Sequence, residues 1–140
     1  MICELCVSPG GSVLWQDARC CVVQVEEPGY PGFCRVIWNT HVREMSDLGE
    51  SDRMHCMRIV FATERVLRRM LSPDKINLAS LGNMVPHVHW HVIPRFADDP
   101  HFPLPIWGVR QRPDMTTPRV AIDATTLATA LANELKNINQ

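Results

Sequence analysis

Residues 86–95, Pro-His-Val-His-Trp-His-Val-Ile-Pro-Arg, constrain the fold more than any other stretch of the chain. Three of its six histidines alternate here with apolar residues over five positions. Strict alternation is the pattern of a half-buried β-strand, whose successive side chains point to opposite faces. It predicts a strand with His87, His89 and His91 on one face and Val88, Trp90 and Val92 in the core. With a rise of about 3.3 Å per residue, neighbouring imidazoles on that face lie roughly 6–7 Å apart. Such a row suits a charged, elongated ligand or a metal. A domain with this strand needs a sheet around it and a hydrophobic layer behind it.

The flanking sequence supplies both. Strands are expected at Val13–Gln16, Cys20–Val25 and Phe33–Trp38, separated by the polar Gln16-Asp17-Ala18-Arg19 and by a Pro/Gly-rich loop over residues 26–32. After His41 the apolar period lengthens. Ser46 or Ser51 caps a helix running to about Met70, and Met54, Met57, Phe61, Leu67 and Leu71 form its apolar stripe. Ser72-Pro73 ends it. Lys75–Leu81 is a fourth strand, and Gly82-Asn83 is a turn signal that makes strands four and five a hairpin. Five prolines between positions 100 and 118 argue against regular structure from Ala97 to Pro118. Asp123 caps a last helix over 123–138, with Leu127, Leu131, Leu135 and Ile138 as one stripe.

The order β-β-β-α-β-β, then an irregular arm and a helix, predicts an α+β domain with a five-stranded antiparallel sheet. At 140 residues, 46% hydrophobic and 21% charged, the chain fits one globular domain with a real core. A formal net charge of −1 gives no basic field for a nucleic-acid polymer. Arg65, Arg68 and Arg69 read as a solvated helix face, and Arg95 as a solvated strand-end residue. No apolar run approaches the roughly 20 residues of a membrane span. Residues 1–6 lack the basic region and apolar stretch of a signal peptide, so a cytoplasmic location is expected. There the six cysteines are thiols or metal ligands rather than disulfides. Cys34 and Cys56 fall in apolar patterns and read as core fillers.

Two chemical readings of the histidine row stand side by side. It binds a metal, a catalytic one needing three ligands and an open position. Or one imidazole is a nucleophile tuned by its neighbours. The N-terminal Cys3-Glu4-Leu5-Cys6 is equally open, as a redox pair, half of a zinc site or a chance spacing. A redox pair should open a helix after a strand, and there is no room for that strand.

The segment His87–Ile93 matches the His-φ-His-φ-His-φ-φ pattern of the histidine triad (HIT) superfamily, where φ is apolar. Pro94-Arg95 after it and Gly82-Asn83 before it resemble the bacterial hydrolase-type branch. Residues 31–41, Pro-Gly-Phe-Cys-Arg-Val-Ile-Trp-Asn-Thr-His, resemble the family strand Pro-Gly-His-x-Leu-Val-Ile-Pro-Lys-x-His. The likeness spans roughly residues 1–107. It implies one HIT-like domain over 1–140, with a core to residue 96, the arm over 97–118 and the helix over 123–138.

The resemblance further implies hydrolysis or nucleotidyl transfer at the α-phosphorus of a nucleoside phosphoramidate or dinucleoside polyphosphate. His89 matches the nucleophile that forms a nucleotidyl-histidine, and His91 the residue on the phosphate or leaving-group side. Asn83, four residues before the triad, stands where family members usually carry a phosphate-contacting Gln, and Asn77 is a second candidate contact with the substrate. A zinc-bearing subset of the family pairs the matching residues Cys3, Cys6, His41 and His87 as a closed structural site. Homodimers are usual in the family. Phe33 stands where most relatives have His, and the ribose-holding acid would fall near Val25, with Glu26 and Glu27 as neighbours able to substitute. Trp107 resembles a tryptophan that lies near the partner subunit's site in some members. A non-catalytic nucleotide-binding regulator retaining the triad is the alternative reading.

Overall fold

In a computed structural model of the chain, residues 2–113 and 121–136 are described. The elements are α1 (Glu4–Val7), β1 (Ser12–Gln16), β2 (Cys20–Gln24), β3 (Cys34–Trp38), α2 (Glu50–Leu71), β4 (Lys75–Ala79), β5 (His89–Arg95) and α3 (Ala124–Leu135). The strands form one antiparallel sheet in the order β1-β2-β3-β5-β4. The expected α+β architecture is present, with α2 central and α3 C-terminal.

Strand register settles which residues share a face. Val36 is paired with Trp90, Cys34 with Val92 and Leu78 with Val92. Their side chains join Leu14, Val22 and Trp38 in the main core beneath α2 and α3. Ile37 is paired with His89, Arg35 with His91 and Ala79 with His91, which puts these residues on the opposite face. Most single sheets leave such a face to solvent. Here a short helix and an irregular segment cover part of it. Leu5 of α1 packs on Cys21, Val23 and Ile37, and Ile106 of the C-terminal arm packs on Tyr30, Phe33 and Ile93.

α2 differs from its expected stripe. Its buried positions are His55, Cys56, Ile59, Val60, Ala62, Thr63, Val66 and Leu67. Met54 and Phe61 are 49% and 44% exposed. Both the set actually buried and the set read from size obey a helical period. Small Cys56, Ala62 and Thr63 let α2 lie close on the sheet, and that close approach decides the rotation. The helix begins after Gly49 rather than at either serine, and Ser72 closes it in the left-handed region at φ 47°. Gly32 is forced by the same packing. Its φ is +82°, and a Cβ there would collide with Leu71 Cδ1 at the end of α2.

β4 and β5 pair as expected, but no tight turn joins them. Residues 80–88 form a longer loop, with Gly82 at φ +78°. α3 is capped as expected, Asp123 Oδ1 accepting from the Thr126 backbone N–H at 2.8 Å. Its Leu127, Leu131 and Leu135 are buried, each contributing about 1.5–3 kcal/mol of apolar burial. Ile138 and Pro118 lie outside the described residues. The rest of the arm is irregular as far as it is described. It is tied down by Arg95, which is fully buried rather than solvated at its strand end.

Candidate functional site

The three histidines do not behave as one row. β5 begins at His89, and His87 sits in the bend before it. The His87 ring turns away from the sheet's open face toward the N-terminal arm. Its Nδ1 lies 3.5 Å from Cys3 Sγ, 3.5 Å from Cys6 Sγ and 3.3 Å from His41 Nδ1. Cys6 Sγ and His41 Nδ1 are 3.4 Å apart. Tetrahedral zinc, with Zn–N of about 2.0 Å and Zn–S of about 2.3 Å, would separate its ligand atoms by roughly 3.3–3.8 Å. The observed spacings fall in that range. The other His87 nitrogen, Nε2, donates to the Trp38 carbonyl at 2.5 Å. That bond puts the proton on Nε2 and leaves the Nδ1 lone pair facing the sulfurs, the usual support for a metal-ligating imidazole. The Cys₂His₂ set therefore fits a closed zinc site. With both ring nitrogens of His87 committed here, a metal shared by His87, His89 and His91 is ruled out by geometry.

A second group of metal-capable side chains, Asp17, Cys20 and His55, has a different character. His55 Nε2 donates to Asp17 Oδ2 at 2.7 Å, and Arg19 Nη2 donates to His55 Nδ1 at 3.0 Å. Asp17 Oδ1 also accepts the Arg19 and Cys20 backbone N–H groups. Burial raises the Cys20 thiol far above its ordinary value. Both imidazole nitrogens are used and the thiol is held neutral, so the cluster locks the β1–β2 turn onto α2.

His89 points into a cavity of about 380 Å³ lined by Glu4, Leu5, Arg35, Asn83, His91 and Trp107, among others. Its Nδ1 donates to the His87 carbonyl at 2.6 Å. The proton is thereby assigned to Nδ1, and Nε2 keeps a free lone pair. Burial lowers the His89 pKa, the bond to the His87 carbonyl opposes that, and the charge of Arg35 pushes it further down. Burial, with His89 and Arg35, takes His91 down to about 4. Both rings are neutral at pH 7. They meet edge to face, with centroids 5.0 Å apart. His91 Nδ1 is buried and has no hydrogen-bond partner.

The two asparagines separate. Asn83 is exposed on the rim of the His89 cavity. Asn77 lines a different cavity along β4, and its Oδ1 accepts from Arg95 Nη1 at 2.7 Å. Asn77 pairs with Ile93, two positions along β4 from Ala79, the partner of His91, and so lies on the face that carries His91. Phe33 is buried with Tyr30 and Ile93 and meets the His91 ring edge-on at 5.8 Å. Trp107 lies 4.9 Å from the His91 ring of its own chain and is 51% exposed at the cavity mouth. In the sequence Arg35 occupies an ordinary strand position, and the strand alone does not mark it as a site residue. Its detectable signal was a charge among the apolar residues of a covered sheet face.

A family model for the HIT domain matches residues 10–98. The chain belongs to the histidine triad family. Among solved structures, a histidine triad protein from Bradyrhizobium japonicum is 28% identical, with a TM-score of 0.72 over 91% of this chain and 92% of its own. A zinc-bound histidine triad family protein from Mycobacterium smegmatis is 21% identical, with a TM-score of 0.63 over 98% of this chain and 95% of its own. A histidine triad protein from Sinorhizobium meliloti is 22% identical, with a TM-score of 0.72 over 92% and 93% of the two chains. No curated protein matches the chain. Family membership makes this HIT protein nucleotide-binding or hydrolase-type in general terms. Among the described residues, no helix is long and apolar enough to cross a membrane.

Proposed function

We propose that this HIT protein is a cytoplasmic nucleotide hydrolase or nucleotidyl transferase acting at the α-phosphorus of a nucleoside phosphoramidate or dinucleoside polyphosphate. The observation that carries the reading is the His89 Nδ1–His87 carbonyl bond at 2.6 Å. It leaves Nε2 as a neutral nucleophile in a cavity large enough for a phosphorylated ligand. In the first step the Nε2 lone pair forms an N–P bond as the bond from phosphorus to the leaving group breaks. The leaving group departs with the electron pair and takes up a proton. His91, on the same face and next to His89, stands on the leaving-group side. Water then attacks the nucleotidyl-imidazole, the N–P bond breaks, and a nucleoside monophosphate leaves. The Asn83 amide donates to a phosphoryl oxygen as charge builds, a contribution commonly of a few kcal/mol.

Cys3, Cys6, His41 and His87 hold a structural zinc in this proposal, supported by their mutual distances and by the bond from His87 to Trp38. A zinc here fixes where the His87 carbonyl points, and that carbonyl orients His89. The functional unit proposed is a homodimer, to be checked by light scattering.

The test of the reaction is turnover of diadenosine tetraphosphate, an adenosine phosphoramidate and adenylyl sulfate by wild type and by His89→Ala. Wild type is expected to cleave at least one, and His89→Ala none. If wild type is no faster than the variant on all three, hydrolysis of these substrates is refuted. Phe33, which offers His91 no polar group, favours a second reading in which the triad only holds a nucleotide. Tight nucleotide binding without turnover would establish that reading instead.

A further inference from the structure

Arg35 is the one arginine or lysine lining the His89 cavity among the described residues. It lies on β3 directly across from His91, on the face that carries both imidazoles. The sheet residues beside it on that face, Cys21, Val23 and Ile37, are buried and apolar. A guanidinium placed among apolar side chains and two imidazoles loses hydration, and it needs an anion or a set of acceptors in return. The protein supplies little of either. Arg35 Nε is buried with no hydrogen-bond partner, and the group forms no ion pair among the described residues. Its Cζ stands over the Phe33 ring, 5.8 Å from the centroid. Glu27 acts on it only through its field. A Cβ on Gly10 would lie 3.7 Å from Nη1, so the N-terminal loop closes its far side.

No carboxylate among the cavity-lining residues lies on the sheet beside Arg35. Glu4, on α1, is the acidic residue that lines the space.

We propose that Arg35 is an anion-binding residue of the pocket, pairing with the non-bridging oxygens of the substrate's phosphate beside His89 and His91. This deepens the nucleotide reading above and rests on it for the identity of the ligand. The guanidinium presents a planar fork of donors that suits two phosphoryl oxygens. It thereby takes on part of the polar work near the phosphates that Phe33 cannot do. Held in place before the ligand arrives, it positions the phosphate against His89 Nε2 and counters charge that grows on phosphorus during attack.

The experiment is calorimetric titration of the zinc-replete protein, as wild type, Arg35→Leu and Arg35→Lys, with AMP, adenosine and pyrophosphate. Loss of one charge-assisted contact is expected to weaken AMP binding by roughly tenfold to a hundredfold in Arg35→Leu. Pyrophosphate should weaken in parallel, and adenosine should change by less than about twofold. Arg35→Lys, which keeps the charge and loses the fork, should fall between wild type and Arg35→Leu for AMP. The adenosine arm also serves as the folding control, since a misfolded pocket loses both ligands. Equal losses for AMP and adenosine in both variants overturn the proposal in favour of a packing or base contact. So does unchanged AMP affinity, or wild type binding AMP no more tightly than adenosine. If wild type binds AMP through Arg35 but turns over no substrate, the hydrolase reading fails and the assignment of Arg35 stands.

Discussion

Replacing Asp99 by Asn should be among the most damaging near-isosteric exchanges in this protein. The Arg95 and Asp99 side chains are 2% and 1% exposed, and they pair with Arg95 Nε 2.7 Å from Asp99 Oδ2. Arg95 Nη2 donates to Oδ1 at 3.0 Å, and the Phe96, His101 and Phe102 backbone N–H groups also donate to the carboxylate. Burial alone would raise the Asp99 pKa. Arg95 and the three N–H donors outweigh it and hold the carboxyl at about 2, against an ordinary 3.8. That difference corresponds to about 2 kcal/mol of stability. Its sign is that of a depressed acid: the unfolded chain takes up the proton first as pH falls. The contribution is complete above about pH 5 and disappears as pH drops from about 4 to 2.

The substitution Asp99→Asn removes the charge and leaves Arg95 buried without its counter-ion, a change that costs about 3–5 kcal/mol. Urea unfolding at pH 7 measures it. The Arg95→Met, Asp99→Asn and double variants complete a cycle in which the double variant should be less destabilised than the sum of the singles by about 2 kcal/mol or more. A loss under about 1 kcal/mol for Asp99→Asn, or additivity within about 0.5 kcal/mol, would refute the buried-pair argument. Wild type and Asp99→Asn should also converge in stability as pH approaches 2, because the wild-type carboxyl is then protonated too. The consequence reaches the site. Arg95 Nη2 also donates to the Leu104 carbonyl at 2.8 Å, fixing the arm that carries Trp107 to His91.

Cys6→Ser should abolish stoichiometric zinc binding, measured by atomic absorption, and lower the thermal midpoint, whereas unchanged stability would sink the structural zinc. Zinc removal by chelator should destabilise the fold first and reduce activity only through that loss. AMP should change the intrinsic fluorescence of wild type, and Trp107→Phe should remove most of that change, because Trp107 stands at the cavity mouth against His91. An identical response in Trp107→Phe would place the ligand elsewhere.

Much of the sheet was legible because its strands alternate cleanly. Val36, Trp90 and Val92 had to lie together on one face whatever packed against it. The start of α3 was legible too, since Asp123 combines a cap with a leucine period. α2 was not, because its sequence supports more than one apolar stripe. Met54 and Phe61 looked like core residues by size, while the sheet selected the smaller Cys56, Ala62 and Thr63. Arg95 illustrates the same limit. A strand-end arginine reads as solvated until a proline-rich arm folds back and supplies Asp99.

By itself, then, the sequence determined a strand with histidines in alternation, the antiparallel elements around it and the Cys-x-x-Cys that accompanies them. Local periodicity and chain stiffness dictate such features, and they depend little on distant residues. Only the tertiary structure decided that the three histidines part company. A bend before β5 turns His87 to two thiols and His41, and its carbonyl then sets the His89 tautomer. Strand pairing, not sequence proximity, put Arg35 beside His91 and tied Asn77 to Arg95. Those choices depend on contacts between segments far apart in the chain, where no local pattern carries the information.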